Sequence, residues 1–183
     1  MSFYARVKYI DRGFANLMIR VRGLTSLHGR VGLLNNDPER IHPLRNDLTV
    51  GEVALINEFG SRNAGVPQRS FLRRTLSEKM TEIKERLASA AWHTIFLRET
   101  GEQSLGSVAK QTAVDVRQTI LRGDIPPPLA DFTVMMKGHD RTLQDTLTLV
   151  TSITGDVVRG STVEDADEVA IADVDGPADG GSP

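Results

Sequence analysis

Apolar residues recur along much of this chain at helical intervals. The longest such pattern starts near Gln68 and runs to about Leu97, with Leu72, Leu76, Met80, Ile83, Leu87, Ala91 and Ile95 at spacings of three and four. That spacing predicts one long helix with a continuous apolar face. Its other face carries Glu78, Lys79, Glu82, Lys84, Glu85 and Arg86 and is expected to be solvated, with Glu82 and Arg86 forming a favourable pair one turn apart. A second helix is expected from Ser104 to Leu121, on the stripe Leu105, Val108, Thr112, Val116 and Ile120. Gly101 separates it from the first, and Gly123 supplies a stop signal. The run Ile125-Pro126-Pro127-Pro128-Leu129 is expected to be an extended polyproline connector, because each proline fixes its own backbone and restricts its predecessor.

The N-terminal third is less regular. Phe14, Leu17, Met18, Val21, Leu24 and Leu27 predict a helix, which Gly13 and Gly23 weaken. Arg30 to Leu34 reads as a short strand, and Asn35 to Pro38 as a polar loop. Thr49 with Glu52 matches a capping box for a helix from Thr49 to Phe59. Thr146 to Ile153 is expected to be helical, and Gly155 to Val158 to return as a strand. The expected fold class is α+β: a small, mostly antiparallel sheet packed with one long and several shorter helices, followed by an extended acidic tail.

Charge divides the chain in two. Every charged residue after Arg159 is acidic: Glu164, Asp165, Asp167, Glu168, Asp173, Asp175 and Asp179. Removing those seven from the 24 acids leaves 17 against 22 bases, so the body is formally +5 and the tail −7. Residues 1–159 are therefore read as one domain and 160–183 as a Gly/Asp/Pro-rich tail unable to bury a core by itself. Val163, Val169, Ile171 and Val174 still leave room there for a short strand formed against a neighbour. Cysteine is absent, which fits folding in a reducing bacterial cytosol. No stretch approaches the roughly 20 apolar residues of a membrane span, and Met1 to Ile10 lacks a signal core, so no membrane partner is expected.

The residues that carry chemistry are scattered. His28, His42, His93 and His139 show no metal-ligand spacing, and no nucleophile elbow or phosphate-binding glycine loop occurs. Asp173-Val-Asp175-Gly176 lacks the later glutamate that would close a calcium loop. No catalytic residue, cofactor or metal is assigned, and an enzyme is not expected. Between Glu58 and Glu78, however, Arg62, Arg69, Arg73 and Arg74 stand without an intervening acid. Such a patch suits acids on another subunit or on the acidic tail, in preference to nucleic acid, because no aromatic residues interleave it in a DNA-reading motif.

Two segments carry a family resemblance. Val53-Ala-Leu-Ile-Asn-Glu-Phe-Gly60, followed by Val66-Pro-Gln-Arg-Ser-Phe-Leu-Arg73, resembles the virion-morphogenesis and tail-completion proteins of Mu-like and related tailed bacteriophages. Asn57, Glu58, Phe59 and Gly60 fit the first motif; Pro67, Arg69, Phe71, Leu72 and Arg73 fit the second, with Ser70 where a proline is common. Lys137-Gly138 and the run Leu143, Asp145, Thr146, Leu149, Ser152 and Ile153 extend the likeness, so that it spans roughly Gly29 to Val158. Thr142 stands at the usual proline and Leu147 at the usual glycine, so the turn there is expected to have become helix.

The resemblance implies a structural role in the virion. It places the chain in a ring, a homohexamer by the family's symmetry, at the head-tail joint or the proximal tail end. Its partners would be copies of itself and other neck and tail proteins, close to packaged DNA, with assembly in the bacterial host cytoplasm. A tail-tube terminator or minor tail protein is the near alternative, and a DNA-binding assembly factor the alternative from another class. Phe59 and Phe71 are expected to anchor the motif loop to the core, and the loop to present Arg62, Arg69, Arg73 and Arg74.

Overall fold

The computed structural model describes residues 13–34, 39–43, 45–97, 99–130, 134, 135, 138, 143 and 147–160, without the side chains of 45–47. The polar loop at 35–38, His139, Asp145, Thr146, the proline-position Thr142, Lys137 and the acidic tail from 161 onward lie outside the described residues. The elements are α1 (Phe14–Thr25), β1 (Leu27–Leu33), β2 (Ile41–His42), β3 (Arg45–Thr49), α2 (Val50–Phe59), α3 (Phe71–Glu78), α4 (Met80–Phe96), α5 (Gly101–Arg122), α6 (Thr148–Ser152) and β4 (Ile153–Arg159). The fold is α+β, with a small antiparallel β component in two separate ladders, β1–β4 and β2–β3.

Helix α5 is the centre of the body because its apolar stripe is the most regular in the chain. Val108, Ala109, Thr112, Ala113, Val116, Thr119 and Ile120 are all buried. Thr100 and Gln103 form a capping box at its start, and Gly123 closes it in the left-handed conformation with φ 74°. Gly101 is the first residue of this helix, not a spacer before it. The β1–β4 ladder lies on one side of α5, in register from Leu27↔Arg159 to Leu33↔Ile153. Gly155 makes this packing possible, since a Cβ there would sit 2.3 Å from the Ala109 carbonyl oxygen. At the other end, Ala54, Phe71, Ala113, Val116, Ile120, Ile125, Leu149, Val150 and Ile153 form the core. Burying each of the larger aliphatic side chains contributes roughly 1.5–3 kcal/mol.

The structure corrects several further expectations. The long helix is two, α3 and α4, bent at Lys79 (φ −98°, ψ 9°). The hydrogen-bond ladder runs on through the bend, as Lys79 N donates to Thr75 O and Ile83 N to Lys79 O, both at 2.9 Å. The buried Thr75 hydroxyl donates back to Phe71 O at 2.7 Å, a bond that commonly bends helices. The apolar face of α4 is not continuously buried either: Met80, Leu87, Trp92 and Phe96 are exposed, and Thr94 is its one buried residue. Its opposite face is not wholly solvated, because Arg86 reaches the buried Asp115 of α5.

The proline run is no free arm. Ile125 is buried in the core, the Pro126–Pro127 peptide is cis, and the next two carbonyls are held by the body. Finally, Leu147 did not turn into helix. It stands before α6 at φ 55°, ψ 2°, the left-handed conformation that a glycine would adopt most readily. The remaining boundaries move by a few residues, with β1 beginning at Leu27 and α6 at Thr148. The Thr49–Glu52 capping box forms as expected.

Candidate functional site

The two motif segments fold into one unit, and Glu58 is its hub. Helix α2 delivers Glu58 inward at 6% exposure, where its carboxylate meets the start of α3. It accepts hydrogen bonds from Ser70 Oγ at 2.5 Å, Leu72 N at 2.9 Å, Arg73 N at 3.2 Å and Arg73 Nε at 2.9 Å. Two of these donors are N–H groups of the first turn of α3 that have no partner within the helix, so a side chain distant in sequence does the work of an N-cap. Ser70, the residue at the helix boundary, makes no cap of its own and gives its hydroxyl to Glu58 instead. Burial alone would raise the Glu58 pKa; the bonds from Ser70, Leu72 and Arg73 outweigh it and hold the carboxyl below the usual glutamate range.

Backbone contacts complete the unit. Arg69 N donates to Asn57 O at 2.7 Å, Gln68 Nε2 to Glu58 O at 3.2 Å, and Asn57 Nδ2 back to Val53 O at 2.7 Å. Between the segments, Ser61 and Val66 form an antiparallel bridge that closes the loop. Gly60 is required twice over. Its φ is +78°, and a Cβ there would meet Gln68 N at 2.9 Å. Pro67 follows the Ser61–Val66 bridge, and Phe71 and Leu72 begin α3, with Phe71 buried in the core.

The four arginines part company. Arg69 is buried at 7% exposure and donates through Nε to Pro127 O at 2.9 Å and through a terminal nitrogen to Pro128 O at 3.1 Å. Burial pushes its pKa down from the usual arginine value. Arg73 pairs with Glu58 and also donates to Glu58 O. Arg74 pairs with Glu78 at 2.6 Å and donates to Asp124 O at 3.0 Å. Only Arg62 is exposed with no side-chain partner among the described residues. The expectation of an unpaired patch is therefore corrected: three of its members hold the chain to itself.

Phe59 departs from expectation too. It does not anchor the loop to the core but lies on the outside at 62% exposure, with the Arg73 guanidinium 4.7 Å from its ring centroid. Leu55, one turn earlier on α2, is also exposed. The outer side of the motif unit thus presents Leu55, Phe59 and Arg73 on a scaffold whose polar groups are satisfied inside. Glu58 as a buried hub was not foreseen; a lone glutamate between asparagine and phenylalanine carries no signal for it without the helix it caps.

His93 lies 3.1 Å from Glu99, which accepts from Ser104 across the α4–α5 junction. Among the described residues no cluster of three or more histidines and acids is placed to hold a metal ion. No described helix is long and apolar enough to cross a membrane. No protein-family model, curated protein or solved structure matches this chain.

Proposed function

We propose that this chain is a structural virion protein of a tailed bacteriophage, part of a ring at the head-tail joint or the proximal tail end. One observation carries the reading. The residues that fit the morphogenesis-family motifs, Asn57 to Gly60 and Pro67 to Arg73, build a single hydrogen-bonded unit that exposes an aromatic and a cation outward. Such a unit suits contact and no chemistry, since Glu58 and the arginines are engaged in holding it together. Leu147 adds support, because it keeps the backbone of the glycine that stands there in the family pattern.

In this reading the chain acts by assembly: as a homohexamer contacting neck and tail proteins in the virion, after folding in the host cytoplasm, without a cofactor or a reaction. A tail-tube terminator or minor tail protein would use the same unit. The DNA-binding reading loses its support, because Arg69, Arg73 and Arg74 are committed within the chain. The test is a symmetry-resolved electron-microscopy map of the neck of particles that encode this chain. A closed ring of density fitting α2–α5, with Phe59 at a subunit boundary, is the expected result; absence of the chain from purified particles overturns the reading.

A further inference from the structure

The β1–β4 ladder leaves one edge ready for another strand. Gly160 N donates to Ser26 O, so in this register His28↔Val158, Arg30↔Asp156 and Gly32↔Thr154 are the pairs that exchange hydrogen bonds. The alternate residues Ile153, Gly155, Val157 and Arg159 then turn their backbone N–H and C=O groups away from β1. Arg117 confirms the direction by donating from α5 to Ile153 O at 2.8 Å. Among the described residues the outward groups of Gly155, Val157 and Arg159 have no partner. Over its seven residues β4 has no proline and no lysine, the usual devices that keep an edge from pairing.

The surroundings specify the occupant. Lys110 lies two helical turns before Arg117 on the same side of α5, beside Gly155, and is exposed without an ion-pair partner among the described residues. The edge is therefore flanked by cations from α5. Within the same chain, Glu168-Val-Ala-Ile-Ala-Asp-Val174 places Val169, Ile171 and Asp173 on one face of an extended strand, in a tail of seven acids and no base. We propose that the outer edge of β4 takes up residues Glu168–Val174 of a second copy of this chain as an added strand. Val169 and Ile171 then lie on the α5 side and Asp173 meets the Lys110–Arg117 flank. From Gly160 to Glu168 the extended chain reaches about 30 Å, enough to cross to an adjacent subunit. The contact joins two different surfaces, the heterologous kind that closes into a ring. It rests on the ring reading for its choice of a second copy.

Hydrogen exchange with native mass spectrometry tests this on the full chain. Ile171→Pro removes a donor from the incoming strand, and Val157→Pro removes an outward N–H while leaving every β1–β4 bond intact. Oligomers are expected for the unaltered chain, with the Gly155 amide exchanging at least about tenfold more slowly than in Ile171→Pro. Both proline variants, and Lys110→Glu, should shift the distribution to smaller species. Equal Gly155 exchange with and without Ile171→Pro overturns the proposal. Protection that persists in monomers at high dilution also overturns it, by placing the tail on its own edge. A ring seen in the particle without a strand at β4 sinks this contact alone and leaves the proposed function standing, whereas absence from the particle sinks the function and leaves the exchange result to decide the contact.

Discussion

Two phenylalanines in the same motif answer to different physics. Phe71 is 3% exposed in the core and Phe59 is 62% exposed on the surface. Phe71→Ala should cost about 3–5 kcal/mol of stability through lost burial and a cavity. Phe59→Ala should cost less than about 1 kcal/mol, chiefly its contact with Arg73, while reducing assembly. Urea melts set beside native mass spectra check both; a folding defect from Phe59→Ala as large as that from Phe71→Ala would return Phe59 to the core.

Glu58 yields the second prediction at this scale. Replacing it with glutamine keeps the shape but turns an amide toward four donors, so Glu58→Gln should cost about 2–3 kcal/mol at neutral pH. Its folded pKa lies below the ordinary value of 4.5, so the charge stabilises the fold at pH above that value. As pH falls through the lower folded value, the native carboxylate takes up the proton that the unfolded chain has already bound, and this contribution is lost. The gap between parent and Glu58→Gln should therefore narrow on acidification, as urea midpoints measured across the acid range would report. A gap that stays constant would mean that charge is not what Glu58 supplies.

Among the elements, legibility followed regularity of burial. Helix α5 was legible because it is buried along one whole stripe and ends at Gly123, whereas its capping box at Thr100 and Gln103 went unread and its expected start was Ser104. The α3–α4 break was not, because apolar spacing continues through Lys79 and neither a proline nor a glycine marks the position. Strands β2 and β3 were missed for lack of alternation in so short a ladder, only two residues on one side. The closeness of α5 to the sheet depends on glycines whose spacing says nothing about their neighbours. A Cβ at Gly155 would press on the Ala109 carbonyl at 2.3 Å, whereas at Gly106 it would only touch Val157 at 3.6 Å. Gly155→Ala should thus cost about 3 kcal/mol by forcing α5 off the sheet. Gly106→Ala, within α5, should stabilise by up to about 1 kcal/mol. Thermal melts of the two variants should move in opposite directions, and a tolerated Gly155→Ala would mean that the layers are looser than this packing requires.

At the scale of the molecule, charge counted along the sequence misleads where charge placed in space does not. The body carries a formal +5, and four arginines follow one another without an acid between them. Their partners come from outside that window: Glu58 and Glu78 at its two ends, and the carbonyls of Asp124, Pro127 and Pro128 some fifty or more residues away. Linear spacing could locate the motif but not show that its arginines were already engaged. The consequence is measurable on DNA. Four free arginines docked on phosphates would give a log-log salt dependence near −3.6, at about −0.9 for each contact. With Arg62 the one member without a side-chain partner among the described residues, duplex binding should be weak and its slope no steeper than about −1 to −2. Arg62→Ala should remove most of that slope, while Phe59→Ala should leave it unchanged. A slope near −3.6 in a salt titration would show that Arg69, Arg73 and Arg74 can leave their internal partners, and would move the weight from a subunit contact to a nucleic-acid surface.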